Sequence, residues 1–248
     1  MLRFLLILFF PLNCFATSTV VYNATTNSIV QGTLCCEEVS IASISKLMTI
    51  YTVLEAKQDL EEKIIVPDSS IRGRLSKGMV VSRLDAIKLA LVSSDNIAAI
   101  TLANNYPGGQ IRFIQAMNSN TKQLNMQHTR FIEPTGLSTM NYSTIGDVVT
   151  MTNALIKYQV FKDAAKIKEL SIVAYKNKKP TVIHSRPTST YFGDEKIVAL
   201  KTGFTNAAGF CITMIVNNNN QLYNIVVLGS RTPNERSRIV KELLTKLK

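Results

Sequence analysis

The sequence predicts an α/β (α+β) protein, an antiparallel sheet flanked by helices with a helical subdomain at about residues 83–170. Three observations carry this expectation. Runs of β-prone residues with period-two alternation stand at both ends of the chain, the middle changes to helical spacing, and the last two strands are joined by a short turn. Strands from both ends bracketing helices pack most simply as one sheet with a helical lobe beside it, leaving a cleft between them for a substrate.

The elements follow in order. "STVVYNATTNSIVQG" reads as a hairpin, two β-prone runs around a turn of Asn, Ala and Thr. From Ser43 to about Lys57 the spacing is helical, with Ile44, Leu47, Met48, Tyr51 and Leu54 on one apolar face. Ser82, followed by Arg83, Leu84 and Asp85, forms a capping signal ahead of "AIKLALVSS". "IRFIQAMNSNTKQLN" is a third amphipathic helix, and another capped helix begins near Ser143 or Thr144, with Asp147 in its first turn. Residues 197–230 read as the strands "IVAL", "GFCITMIV" and "LYNIVVLGS", the latter two separated by a turn at Asn217 to Gln221. "NERSRIVKELLTKLK" closes the chain as a basic amphipathic helix, and no internal repeat or linker is visible.

Composition and charge limit the function classes. A chain of 248 residues that is 46% hydrophobic can bury a full core. It opens "MLRFLLILFFPLNCFATS", where Arg3 precedes an apolar run and Cys14 and Ala16 put small residues at the third and first positions before a cut at Thr17. That pattern predicts a secretory signal peptide over residues 1–16, leaving residues 17–248 as one mature domain. The run is shorter than the ~20 apolar residues a membrane-spanning helix needs, so no stable membrane anchor is expected after cleavage. Asn13 before Cys14 fits a lipoprotein signal poorly. The formal net charge of +11 and pI near 9.6 suit an anionic partner. A secreted chain with no basic cluster interleaved with aromatics excludes nucleic acid and favours an anionic cell-envelope polymer.

Two histidines and no CxxC or HExxH spacing argue against a metal site, and neither a metal nor an organic cofactor is expected. Cys35, Cys36 and Cys211 would remain after signal cleavage. They read as small buried apolar residues, since nothing supports a link between Cys211 and the adjacent pair.

The chemistry is concentrated in "IASISKLMTI", where Ser43 and Lys46 are three apart and so share a helix face. At a first helical turn the free backbone N–H groups favour an attacking oxygen and a developing oxyanion. The lysine must be neutral at times to serve as base. Burial and a second nearby cation would lower its pKa toward that state. Alone, a serine and lysine at this spacing are common. Downstream, however, come Ser94-Asp95-Asn96 at the end of one predicted helix, and Lys201-Thr202-Gly203 at the end of a predicted strand. Together the three motifs are the signature of penicillin-binding proteins and class A β-lactamases.

The sequence resembles the low-molecular-mass penicillin-binding proteins of the D-alanyl-D-alanine carboxypeptidase family, and most of all their D-alanyl-D-alanine endopeptidase branch. "ASISKLMT", "LALVSSDNIAA", "NNYPGG", "FIEPTGLS" and "KTGFTNAAG" carry the resemblance nearly end to end through the mature chain. It implies a β-lactamase/transpeptidase-like fold and a periplasmic serine peptidase acting on peptidoglycan stem peptides, with β-lactam antibiotics as inhibitors. The C-terminal β-domain and amphipathic tail found in several carboxypeptidases are expected to be absent, because the chain stops one helix after its last strand.

By the same resemblance, Ser43 would be the acylated nucleophile, Lys46 its proton acceptor, and Ser94 the relay to the leaving amine. Asn96 would hold the substrate backbone, Lys201 would supply the electrostatic field, and Thr202, beside Gly203, a hydroxyl for the substrate's carboxyl end. The backbone N–H groups of Ser43 and Phe204 would form the oxyanion hole, at about 3 kcal/mol each. Arg231, after the final strand, stands where the carboxypeptidases carry an arginine whose fork suits a carboxylate. The overall match favours an endopeptidase and Arg231 a carboxypeptidase, so both activities stay open.

A β-lactamase would need a deacylating carboxylate, for which "FIEPTGLS" offers Glu133; Ser138 replaces the asparagine expected after Leu137, and Glu133 is read as structural. A peptidoglycan-binding protein without catalysis is a further reading, against which the intact Ser43, Lys46 and Lys201 count. With only His128 and His184 and no GxSxG, a Ser-His-Asp hydrolase has little support, and His184 is expected near the cleft rim in a structural role.

Overall fold

The two ends of the chain meet in one sheet. In this computed structural model, which describes residues 17–247, β1 (Ser18–Asn23) and β2 (Ser28–Gly32) form the expected hairpin. Its turn is closed by Asn23, whose Oδ1 accepts from the amides of Thr25 and Thr26 at 2.9 and 3.0 Å. The expected signal segment, residues 1–16, lies outside the described residues.

After the two-residue β3 (Val39–Ser40), a 3₁₀ turn over Ala42–Ser45 leads into α1 (Lys46–Glu55). Every residue of α1 from Lys46 to Val53 is buried, so its polar side chains must find partners inside the fold. Thr49 donates to the Pro134 carbonyl at 2.7 Å and Thr52 to that of Met48 at 2.8 Å. β4 (Lys63–Ile65) and β5 (Val80–Ser82) precede α2 (Arg83–Val92), whose cap is Ser82 as the sequence predicts, accepting from the Asp85 amide at 3.0 Å.

The segment that the sequence places at the end of one helix in fact joins two. α3 (Asn96–Asn104) starts at once, because Asp95 caps it by accepting from the Ala98 amide at 2.9 Å. α4 (Gly109–Gln123), β6 (Tyr142–Ser143), α5 (Ile145–Leu155) and α6 (Gln159–Ala165) complete the helical region. Thr144 caps α5 by accepting from the Asp147 amide at 3.1 Å.

Next come β7 (Leu170–Lys176) and β8 (Lys179–Ser185), which with β4 and β5 make a second, four-stranded sheet in the order β4-β5-β7-β8. This sheet is not foreseen in the sequence reading. Two of its strands are only three residues long, and apolar Val173 and Val182, paired across β7 and β8, face solvent and blur the alternation. β9 (Ile197–Thr205), β10 (Gly209–Asn218) and β11 (Gln221–Ser230) join the N-terminal hairpin in the order β2-β1-β11-β10-β9, every pairing antiparallel. The chain passes from β10 to β11 through Asn219 and Asn220, both at positive φ, which asparagine tolerates better than most residues.

α7 (Pro233–Leu244) is the closing helix, with Thr232 as cap and Pro233 in its first turn. It packs on β11, as does α5. The core runs from α1 and α2 through the middle of β10, whose residues Cys211–Val216 are buried. No helix among the described residues is long and apolar enough to cross a membrane. Cys211 is buried, whereas Cys35 is half-buried and Cys36 exposed, so the expectation of buried cysteines holds for Cys211 alone.

Candidate active site

Where β9 passes the start of α1, two glycines let backbone approach backbone. A Cβ on Gly203 would lie 3.0 Å from both the Ile41 carbonyl oxygen and the Ser43 nitrogen. One on Gly136, at φ +83°, would lie 1.9 Å from the Ala42 carbonyl oxygen. Between them the Ala42–Ser43 link is clamped, and Ala42 is held at φ +47°, a region alanine seldom adopts. Ser94, across the cleft, is likewise at φ +57°. Strain of this kind persists only where the surroundings enforce it.

Ser43 lies in the 3₁₀ turn, one residue pair ahead of α1, and Lys46 opens the helix, so the spacing of three places them side by side. Lys46 Nζ is fully buried and donates to Ser43 Oγ at 2.8 Å, Asn96 Oδ1 at 2.7 Å and the Thr135 carbonyl at 2.8 Å. Burial drives its pKa down to about 7, against the pull of the Glu133 and Asp95 carboxylates, which favour the ammonium. Near neutrality the amine is therefore neutral part of the time, with a lone pair facing the Ser43 hydroxyl. That is the state a base requires.

Lys201 is the second buried cation. It donates to Ser94 Oγ at 2.9 Å and to the Thr202 carbonyl at 2.7 Å. Its pKa falls well below the usual lysine value, through burial first and then repulsion by Lys46 and Arg236. Thr202 donates to Thr188 Oγ1 at 2.7 Å, and the Thr188 amide is anchored to the Val92 carbonyl at 3.0 Å.

These groups surround a cavity of about 340 Å³ lined by Ser43, Ser94, Thr202, Gly203 and Phe204, with Thr188, Phe210, Pro233 and Arg236. Phe204 is half exposed and stacked on Phe210, ring centroids 4.1 Å apart. Asn96 reaches the group through Lys46. Of the residues assigned a catalytic or substrate-binding role from the sequence, Arg231 is the one placed away: it is exposed and does not line the cavity, and its amide donates to Glu235 Oε2 at 2.7 Å. The cavity arginine is Arg236, five residues on, turned inward by α7 and donating to the Cys211 carbonyl at 3.4 Å. Sequence reasoning missed it because a strand-end position is read directly, whereas Arg236 depends on where α7 starts. The signal was there in Thr232 and Pro233, which fix that start.

Glu133 is occupied in building the loop beneath Lys46. Its carboxylate accepts from the amides of Thr135 and Gly136 at 2.7 Å, and from Asn141 Nδ2 at 2.8 Å. No carboxylate lines the cavity among the described residues. His184 is exposed on β8, shares a 2.9 Å hydrogen bond with Ser171 Oγ, and does not line the cavity.

Comparison with known proteins agrees with this geometry. The family model described as D-alanyl-D-alanine carboxypeptidase matches residues 10–232. The chain is 40% identical to the D-alanyl-D-alanine endopeptidases of Escherichia coli K12 and Pseudomonas aeruginosa, over 77% of its own length in each case. It spans 63% and 64% of the length of those two relatives. Among solved structures, the Streptomyces K15 DD-transpeptidase superposes with a TM-score of 0.85 at 20% identity, over 92% of this chain and 95% of the other. Penicillin-binding protein D2 of Listeria monocytogenes, in its ampicillin-bound form, superposes at 0.80 with 23% identity and the same coverage. A family match across most of the chain, with 40% identity to endopeptidases, shows that this chain belongs to the D-alanyl-D-alanine carboxypeptidase family, on its endopeptidase branch.

Proposed function

We propose that the protein is a periplasmic serine DD-peptidase that hydrolyses D-alanyl-D-alanine or D-alanyl-diaminopimelyl bonds of peptidoglycan through an acyl-enzyme on Ser43. The observation that carries this reading is the buried Lys46, with a pKa near 7, held 2.8 Å from Ser43 at the wall of the cavity. In the acylation step the Ser43 hydroxyl proton passes to Lys46 Nζ as Oγ attacks the carbonyl carbon of the scissile bond. Negative charge then gathers on the carbonyl oxygen, toward the backbone N–H groups of Ser43 and Phe204. The C–N bond breaks as the leaving nitrogen takes a proton through Ser94, whose hydroxyl already accepts from Lys201. Water hydrolyses the ester and restores Ser43.

Arg236 and Thr202 hold the carboxylate on the leaving side. Arg236 has a forked donor set for it, and the cavity holds no competing carboxylate among the described residues. The lack of a cavity-lining carboxylate among the described residues also supports a peptidase over a β-lactamase, which would need one to activate water against the β-lactam acyl-enzyme. Removal of residues 1–16 as a signal peptide would deliver the enzyme to the periplasm.

Hydrolysis of a D-Ala-D-Ala-terminated peptide tests the assignment of the arginine. Arg236→Gln is expected to lower kcat/KM by about a hundredfold, consistent with loss of a charge-assisted bidentate contact, while Arg231→Gln changes it less than about twofold. The opposite ranking would return the role to Arg231.

A further inference from the structure

Beside the catalytic cavity lies a second one of about 480 Å³, large enough to hold a peptide segment. Thr188 and Arg236 line both cavities. Through Thr188 the second cavity is linked to Thr202 by the 2.7 Å hydrogen bond, so it opens on the side of the catalytic cavity where the leaving group's carboxylate is held. Its charged lining is Lys168, Arg186 and Arg236 against the single carboxylate of Glu169. No ion pair within 4 Å occupies any of the three cations among the described residues.

Two of those cations are positioned by the fold. The aliphatic stem of Lys168 crosses Gly193, where a Cβ would come within 2.3 Å of Lys168 Cγ. Arg186 follows β8 directly and precedes Thr188, whose amide is pinned to the end of α2.

We propose that this second cavity is the subsite for an acidic leaving strand, the second peptide of a crosslink. The proposal rests on the DD-peptidase reading of the first cavity. A terminal D-alanine carries only a methyl group and a carboxylate beyond the scissile nitrogen and leaves the second cavity empty. In a crosslink the leaving residue holds the same carboxylate at Arg236, but its side chain continues into another peptide that bears further carboxylates. Lys168 and Arg186 are placed to receive them, and the hydroxyl-rich loop of Thr188, Ser189 and Thr190 to bond the amides. The cavity therefore selects crosslinked over uncrosslinked substrate by binding and leaves the chemical step unchanged.

The test compares wild type with the double variant Lys168→Glu/Arg186→Glu, both exposed positions at which folding is not at risk. Three readings are taken: kcat/KM on a crosslinked peptide dimer, kcat/KM on a D-Ala-D-Ala-terminated monomer, and the rate of acylation by benzylpenicillin. The expected result is a loss of about tenfold on the dimer, carried by KM, with the other two rates within about twofold of wild type. Wild type should also lose its dimer preference when the leaving strand's carboxylates are amidated. Equal losses on dimer and monomer, or no loss on the dimer, would overturn the subsite. A wild type that reacts with penicillin yet cleaves no dimer would overturn the subsite alone. One inert to penicillin and to both peptides would overturn the peptidase reading with it.

Discussion

Lys46 carries two opposed demands: it must be buried to lose its proton and bonded to stay in place. Its three acceptors meet the second demand, and one of them, the Thr135 carbonyl, is held by the loop that Glu133 ties together. With a pKa of about 7, acylation of Ser43 should rise with pH through a single proton loss near 7 and level off above it, since only the neutral amine accepts the proton. Asp95 favours the ammonium, so Asp95→Asn should move that midpoint to lower pH while the asparagine still caps α3. Stopped-flow acylation across pH reads this directly; a midpoint that stays or rises would show that Lys46 is not the titrating base. The pairing of Ser43 and Lys46 was legible in the sequence because helical spacing alone brings them together. The cavity-lining Arg236 was not, since its direction depends on the turn from β11 into α7.

At the scale of elements, glycine determines how closely β9 and the Gly136 loop approach the turn that carries Ser43. Gly136→Ala would add a Cβ 1.9 Å from a carbonyl oxygen at a positive φ, and should cost about 2 kcal/mol or more of stability. Urea unfolding checks that cost, and benzylpenicillin acylation should slow with it as the Ala42–Ser43 link shifts. An unchanged midpoint would mean that the clamp is looser than the contact implies. The hairpin, α1, the capped α2 and α5 and the three C-terminal strands were legible because each combines one clear period with an explicit cap or turn residue. The β4-β5-β7-β8 sheet was hidden for the converse reason. Strands of three residues show no period, and the solvent-facing valines of β7 and β8 do not mark an inside.

For the whole molecule, two lysines buried together mean that stability and catalysis share a pH dependence. Lys46 in the folded state releases its proton near pH 7, whereas in the unfolded chain it does so near 10.5. Between those values the unfolded state binds more protons, so this residue adds stability as pH rises above 7 and adds none below it. Buried Cys211, pushed up to about 11 by burial, acts in the opposite direction once the unfolded thiol ionises near 9. The window from pH 7 to 8.5 therefore isolates the buried lysines, since Lys201, whose pKa burial also lowers, acts in the same direction as Lys46. Urea unfolding in that window should show stability increasing with pH in wild type and a flatter response in Lys46→Met; equal slopes would contradict the burial of the amine.

The central claim is that Ser43 is the acylated nucleophile of a penicillin-sensitive peptidase, and intact-mass spectrometry after brief exposure to benzylpenicillin tests it most directly. The account predicts a long-lived adduct of one drug mass on wild type and none on Ser43→Ala. An adduct that survives in Ser43→Ala, or rapid destruction of the drug without any adduct, would contradict it.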